Sequence, residues 1–411
     1  RIPLAALIAP ALALASPQAD FDAGLAAHEK GQYQEAERLY RKVLADGGAP
    51  AELKASVWVN MGVLAEAQGD YGEAETFYAS ALLATNSPEA KAKALLGLGV
   101  VQEKDGKLDE AEAHYREALA LPVGEATRIM ILQRLGNLEP KRGRLKEAQQ
   151  AFEDQLALTR NEDDRALILG NLGYLLEQRG DLAAARKRYE EAIAMRTGGE
   201  PRAIASINLG LLLARNGQLK EARAAQEAAL RAAAMPDTRA NALLNLGDLA
   251  RRAGDFGGAR ASYERALKLR TWSETRAYGL LGYGRVLELE GHDEEAEACF
   301  RQALELNTDT ERRGELAFAL AVHLDRRGAA EEALAQYRAA AGASRKPMKR
   351  ARALKGIGEI ERRRGRLDEA TRAFEEARAA YASVLELTPT ADERAECWLG
   401  RAQIEEALGR L

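Results

Sequence analysis

One glycine recurs along this chain at a fixed spacing. Gly69, Gly106, Gly143, Gly180, Gly217, Gly254, Gly291, Gly328 and Gly365 are separated by eight intervals of 37 residues each, and Gly31 and Gly409 close related phrases at either end. A sustained period of this size is the signature of a repeat array, in which each unit packs only against its neighbours. It overrides the two or three globular domains that 411 residues would otherwise imply.

Within a period, two helical patterns flank the glycine. Trp58-x2-Met61-Gly62-x2-Ala65 has the spacing of one helix face. Gly69-Asp70 then supplies a left-handed helix end followed by a capping acid. Ala74, Tyr78 and Ala81 form the stripe of the second helix. Pro50, Pro88, Pro122, Pro201, Pro236, Pro347 and Pro389 fall at the expected connections between repeats, because a helix interior excludes proline. Pro140 breaks the rule. It follows Leu135-Gly136-Asn137-Leu138-Glu139, so the first helix of that repeat is expected to end early or kink.

These residues resemble the tetratricopeptide repeat, whose signature is W-x2-L-G-x2-Y, then A-x3-F, then P. Leu243-x2-Leu246-Gly247-x2-Ala250 with Ala259-x3-Tyr263 carries the pattern, as does Leu354-x2-Ile357-Gly358 with Ala370-x3-Phe374. The period exceeds the usual length of about 34 residues, and Gln226 replaces the aromatic of its repeat. The resemblance, to exported bacterial members of the family, implies an all-α, right-handed α-solenoid of about ten antiparallel helix pairs plus a terminal half-repeat. The units expected are 17–54, 55–91, 92–128, 129–165, 166–202, 203–239, 240–276, 277–313, 314–350 and 351–394, with 395–411 as the last helix. Small residues such as Gly62 and Ala74 let helices approach, and the aromatic, Tyr78 or Tyr189, fills the gap to the next unit.

Composition narrows the chemistry. A net charge of −4 and a pI near 5.9 provide no global field for nucleic acid or an anionic membrane, and no nucleic-acid partner is expected. Arg1 and an apolar run to Ala15 read as a signal peptide, residues 1–15, cut before Ser16. The run is too short to span a bilayer, which takes about 20 residues, and no stable membrane span is expected. An exported, periplasmic or secreted location follows as an expectation. Cys299 and Cys397 lie almost three repeats apart, too far for a disulfide within the chain. His28, His114, His292 and His323 fall in different repeats without ligand spacing, so no metal is expected. Gly97-Leu98-Gly99 and its counterparts lack both a preceding strand and the third glycine of a dinucleotide loop. No catalytic residue, cofactor or enzymatic activity is expected.

Binding is the remaining role, and the resemblance implies that first helices line a groove for a protein or peptide. The residues it assigns there are Asn60, Asn137, Asn171, Tyr174, Asn208, Leu211, Leu244, Asn245, Asp248 and Arg285, with Val59, Val63, Leu96, Val100, Gln133, Ile207, Leu281 and Phe318 beside them. Asn60, Asn171, Asn208 and Asn245 share one repeat position and resemble an asparagine ladder, which Gly97, Arg134, Gly282, Ala319 and Gly356 interrupt. A chaperone-type carboxylate clamp lacks its lysines, having Gln133 and Ile204 instead. Basic residues gather between Arg345 and Arg366, diluted by acids, and read as a solvated face. Trp272, in a connection, reads as an exposed contact. The expected function is a non-enzymatic scaffold in an exported assembly or secretion system. Alternatives are the recognition arm of a longer protein whose catalytic or outer-membrane domain lies beyond Leu411, or a self-assembling solenoid joined through an open C-terminal end. The absence of an initiator Met and the stop at a turn favour a fragment.

Overall fold

A computed structural model describes residues 16–306, 309–387 and 391–410. The segment read as a signal peptide and Pro389 lie outside them. The described residues form twenty-one α-helices, one 3-10 turn and no strand. They divide into two compact units. Unit 1 (Arg1–Arg188) holds α1 (Pro17–Glu29), α2 (Tyr33–Ala45), α3 (Ala51–Gln68), α4 (Tyr71–Ala84), α5 (Pro88–Lys104), α6 (Leu108–Ala120), α7 (Glu125–Leu138), α8 (Leu145–Leu158), α9 (Glu162–Gln178) and the first part of α10 (Leu182–Ala194). Unit 2 (Tyr189–Leu411) continues with α11 (Gly199–Arg215), α12 (Leu219–Ala232), α13 (Pro236–Arg252), α14 (Phe256–Leu267), α15 (Ser273–Glu290) and α16 (Asp293–Leu306). It closes with α17 (Thr310–Arg326), α18 (Ala330–Ala343), α19 (Pro347–Arg363), α20 (Leu367–Glu386) and α21 (Ala391–Ala407). Within each unit, a first helix packs on its second helix and then on the next pair.

The glycine-acid break works as its chemistry requires. Gly69 ends α3 with φ of 82°, a conformation open to glycine at little cost, and Asp70 accepts the Glu73 amide at 3.0 Å to start α4. From α3 onward, each first helix begins four residues ahead of the boundary drawn from the sequence. The apolar pattern starts only in the second turn, at Ala55, Ala92 or Ala166, while the first turn is mostly polar. Consequently Pro88, Pro236 and Pro347 open helices instead of lying in connections, and Pro201 sits in the first turn of α11. There the missing N–H has no intrahelical partner to lose.

Pro140 shortens its helix. α7 stops at Leu138, and Glu139–Arg142 form a 3-10 turn ending on Gly143. The lengthened interval after Gly365 also has a local cause. α20 has 20 residues where its counterparts have 12 to 14, so it runs about two turns further. Tyr381, two turns beyond Phe374, is buried against Gly400 of α21.

The core is a row of aromatic rings seated on backbone. A Cβ at Gly247 or Gly282 would sit 2.8 or 2.5 Å from Tyr263 Cε1, well inside the usual contact of about 3.5–4.0 Å. The ring of one repeat is thus clasped between a glycine of its own first helix and one of the next. Tyr78 between Gly62 and Gly97 repeats the arrangement in unit 1. This explains why glycines interrupt the asparagine position: Gly97, Gly282 and Gly356 are where tyrosine rings lie. Gln226 takes the aromatic position of its repeat. It is fully buried, its Nε2 donates to the Ile207 carbonyl at 3.0 Å, and its Oε1 accepts from Asn245 at 3.3 Å.

Carboxylates also tie successive repeats together. Glu89 accepts the Gly124 amide (3.1 Å), Glu200 the Ala234 and Met235 amides (2.8 and 3.0 Å), Asp237 the Trp272 amide (2.9 Å) and Glu311 the Arg345 amide (2.9 Å). Each acid lies in the first turn of one first helix and satisfies orphan N–H groups at the start of the next.

Candidate functional site

First-helix side chains that escape the packing define two surfaces, one in each unit. In unit 1, Val63, Met130, Leu167 and Tyr174 are exposed, alongside the exposed amides of Gln133, Asn137 and Asn171. A cavity of about 590 Å³ between α7, α8 and α9 is lined by Ile129, Gln133, Leu167 and Asn171. Asn60 is half-buried, and its amide donates to the Ser56 carbonyl of its own helix at 2.8 Å.

In unit 2, three cavities follow one another along α13, α15, α17, α19 and α21. The first, about 470 Å³, contains Asn241, Glu274 and Arg312. It shares Tyr278, Leu281 and Glu315 with the second, about 240 Å³, which adds Arg285, Phe318, Lys349 and Arg352. Phe318 and Arg352 also line the third, about 300 Å³, with Lys355, Glu359, Leu399 and Gln403. Shared walls make them one trough with aromatic ridges. With helices about 8–10 Å apart, five first helices span roughly 40 Å, the reach of an extended segment of about 12 residues.

Charges in the trough are largely paired. Glu274 meets Arg312 at 2.7 Å, Lys349 bridges Glu311 and Glu315, and Arg352 donates from Nε and Nη2 to the two oxygens of Glu396. Arg285 is exposed and makes no ion pair among the described residues. Asp248 is committed to positioning. It accepts the Tyr263 hydroxyl at 2.8 Å and the Tyr278 hydroxyl at 2.6 Å, and it pairs with Arg251 at 3.4 Å. Burial and the Asp248 carboxylate push the Tyr263 phenol far above its ordinary range, so it stays a neutral donor.

The structure thus sorts the residues assigned from sequence. Asn137, Asn171, Tyr174 and Arg285 are exposed, and Asn208 is half-buried. Leu244 is a correction: it is 1% exposed and belongs to the core of Leu243, Tyr263 and Val286. Leu211 is half-buried against Ile207, Ala229 and Ala242. Asn245 is bonded to Gln226 rather than offered to a ligand. Sequence reasoning missed Tyr278, Glu315, Leu399 and Gln403, and read Arg352 and Lys355 as part of a solvated basic face. Tyr278, Glu315 and Arg352 share the repeat position four before Gly282, Ala319 and Gly356, and that register could have found them.

Other marked residues have structural partners. His323 is buried on Phe300, with Nδ1 3.0 Å from Glu288 Oε1. Cys299 and Cys397 are free thiols. Lys349, Arg352, Arg363, Arg364 and Arg366 of the late basic cluster all pair with acids. Among the described residues no helix is long and apolar enough to cross a membrane, and no group of three His, Cys, Asp or Glu could hold a metal ion.

Paired helices closed by left-handed glycines, with an open face of first helices, define a helix-pair repeat protein. Tetratricopeptide-repeat family models match residues 53–122, 127–198 and 201–271, and residues 244–307 and 290–347. The chain belongs to the tetratricopeptide repeat family. Similar solved structures include Pseudomonas aeruginosa pilF, 20% identical over 52% of this chain and 90% of that one, with a TM-score of 0.41. A tetratricopeptide repeat protein from Parabacteroides merdae is 17% identical over 67% and 99%, with a TM-score of 0.47. The Cut9–Hcn1 hetero-tetramer of APC/C matches at 14% identity over 97% of both chains, with a TM-score of 0.46. No curated protein matches the sequence. Family membership makes the chain a protein-interaction scaffold.

Proposed function

We propose that the chain is a non-enzymatic scaffold that holds an extended segment of a partner protein in the unit 2 trough. The row of three cavities with shared walls carries this reading: it is long and narrow, and apolar ridges alternate with paired charges, as suits a peptide read side chain by side chain. Tyr278 and Phe318 supply apolar contact, and Arg285 offers an unpaired cation to a carboxylate. The apolar N-terminal segment supports a role in an exported assembly or secretion system.

Changing Tyr278 and Leu399 to Ser and Arg285 to Glu alters exposed side chains and leaves the core intact. Pull-down from the source organism with the parent and the triple variant should recover a partner only with the parent. Equal recovery by a folded variant would move the binding surface elsewhere. Fractionation with N-terminal sequencing tests export, and a chain that keeps residues 1–15 in the cytoplasm counts against it.

A further inference from the structure

Two first-helix N-caps in unit 2 are large, apolar and exposed: Met235 before α13 at 57%, and Trp272 before α15 at 75%. The same position holds Ser87, Gly124, Asn161, Gly198 and Asp309, residues an N-cap favours, and also Pro50 and Lys346, which do not cap either. Methionine and tryptophan side chains cannot cap. As Glu89 does for Gly124, an acid of the preceding repeat accepts the N-cap amide: Glu200 that of Met235 and Asp237 that of Trp272. Asp237 lies two residues after Met235, so its bond ties the start of α13 to the start of α15 and brings the two N-caps to neighbouring helix ends.

Cations surround them in a pattern that occurs twice: Arg231-x3-Met235-x3-Arg239 and Lys268-x3-Trp272-x3-Arg276. The last arginine is common to other repeats, and Arg202 and Arg276 use it to hold a helix-end carbonyl. The leading cation is not: other repeats have Ala120, Ala157, Ala194, Glu305 or Gly342 there. Arg231, Arg239, Lys268, Arg270 and Arg276 are all exposed, and among the described residues none pairs with a carboxylate. Nearby acids are engaged: Glu200 and Asp237 on amides, Glu274 on Arg312. A chain of net charge −4 therefore presents a locally positive edge from which two apolar side chains project. None of the cavities along the trough includes Met235 or Trp272.

We propose that this edge docks on an anionic lipid surface. Trp272 and Met235 enter the headgroup region, and the five cations lie against lipid phosphates. Tryptophan favours that interface, and basic residues add attraction that salt screens. Apolar insertion combined with a basic patch supplies the two signals that stable membrane binding takes.

Flotation of the full chain with vesicles tests this. Binding is expected to phosphatidylcholine vesicles containing about one third phosphatidylglycerol, and not to phosphatidylcholine alone. It should weaken as salt rises from about 0.05 M to about 0.5 M. Met235→Ser with Trp272→Ser, and separately Arg231→Glu with Lys268→Glu, should each lower binding at least about tenfold with unchanged circular dichroism. In a Trp58→Phe, Trp398→Phe background, Trp272 emission should shift blue on the anionic vesicles. No flotation, equal flotation with both vesicle types, or full binding by either folded double variant would overturn the proposal. A chain that ignores vesicles but binds an acidic protein through this edge would overturn it too.

Discussion

Gly62→Ala and Gly170→Ala make the same chemical change inside two first helices of unit 1, and the structure predicts opposite outcomes. Alanine exceeds glycine in helix propensity by about 1 kcal/mol, so each substitution starts with that gain. At Gly170 a new Cβ meets nothing within 4 Å, and the gain stands. At Gly62 it would lie 2.5, 2.6 and 2.8 Å from three atoms of the Tyr78 ring. That ring is 1% exposed, abuts Gly97 on the next first helix, and donates its hydroxyl to Glu66, so it has little room to retreat. Overpacking of this kind costs about 1–3 kcal/mol, and the clasp on both sides places it near the upper figure. Gly62→Ala should then destabilise by about 2 kcal/mol and Gly170→Ala stabilise by about 1. Urea unfolding followed by circular dichroism would read both. Adding Tyr78→Leu should remove most of the Gly62→Ala penalty, a coupling that a propensity effect lacks. If Gly62→Ala raises the midpoint as Gly170→Ala does, the rings are not clasped as described.

Acid should loosen the ties between repeats. Burial alone would raise the Glu200 pKa, but hydrogen bonds from Thr238, Met235 and Ala234 outweigh it and hold the carboxyl below its ordinary value; hydrogen bonding from Thr127 and Gly124 does the same for Glu89. Their stabilisation is present above the unfolded pKa, about 4.3, and is lost as pH falls through the depressed folded value. Glu200→Gln should therefore lower the urea midpoint at pH 7 and lose that effect in acid, and a pH-independent difference would count against the linkage. Gln226→Met keeps the volume but breaks the bonds to Ile207 and Asn245, and should cost about 1 kcal/mol by the same unfolding assay. Pro140→Glu restores an amide and should let α7 continue as α9 does, with higher helicity and a raised midpoint. Unchanged helicity would place the cause of the 3-10 turn in its surroundings.

Much of the architecture was legible because it depends on local chemistry. The period, the helix ends at Gly69-Asp70, the early stop at Pro140 and the aromatic seats follow from residue types that act within a few positions of themselves. Even the departure at Gln226 was visible as a replacement. Its answer was not, because the bond to Ile207 reaches 19 residues back. The binding face was read less well for the same reason. Leu244 and Leu211 repeat at the right register, but register says only which way a side chain points, and burial depends on what the next helix brings against it.

The sequence by itself determined the helix pairs, their turns and the small and large residues that let them stack, since a repeated local code needs no distant partner. Only the tertiary structure decided which first-helix residues stay open, which charges find opposites, and how a carboxylate of one repeat caps the next. Those outcomes depend on groups brought together by packing across 19 to 44 positions of chain, a distance over which no sequence spacing specifies contact.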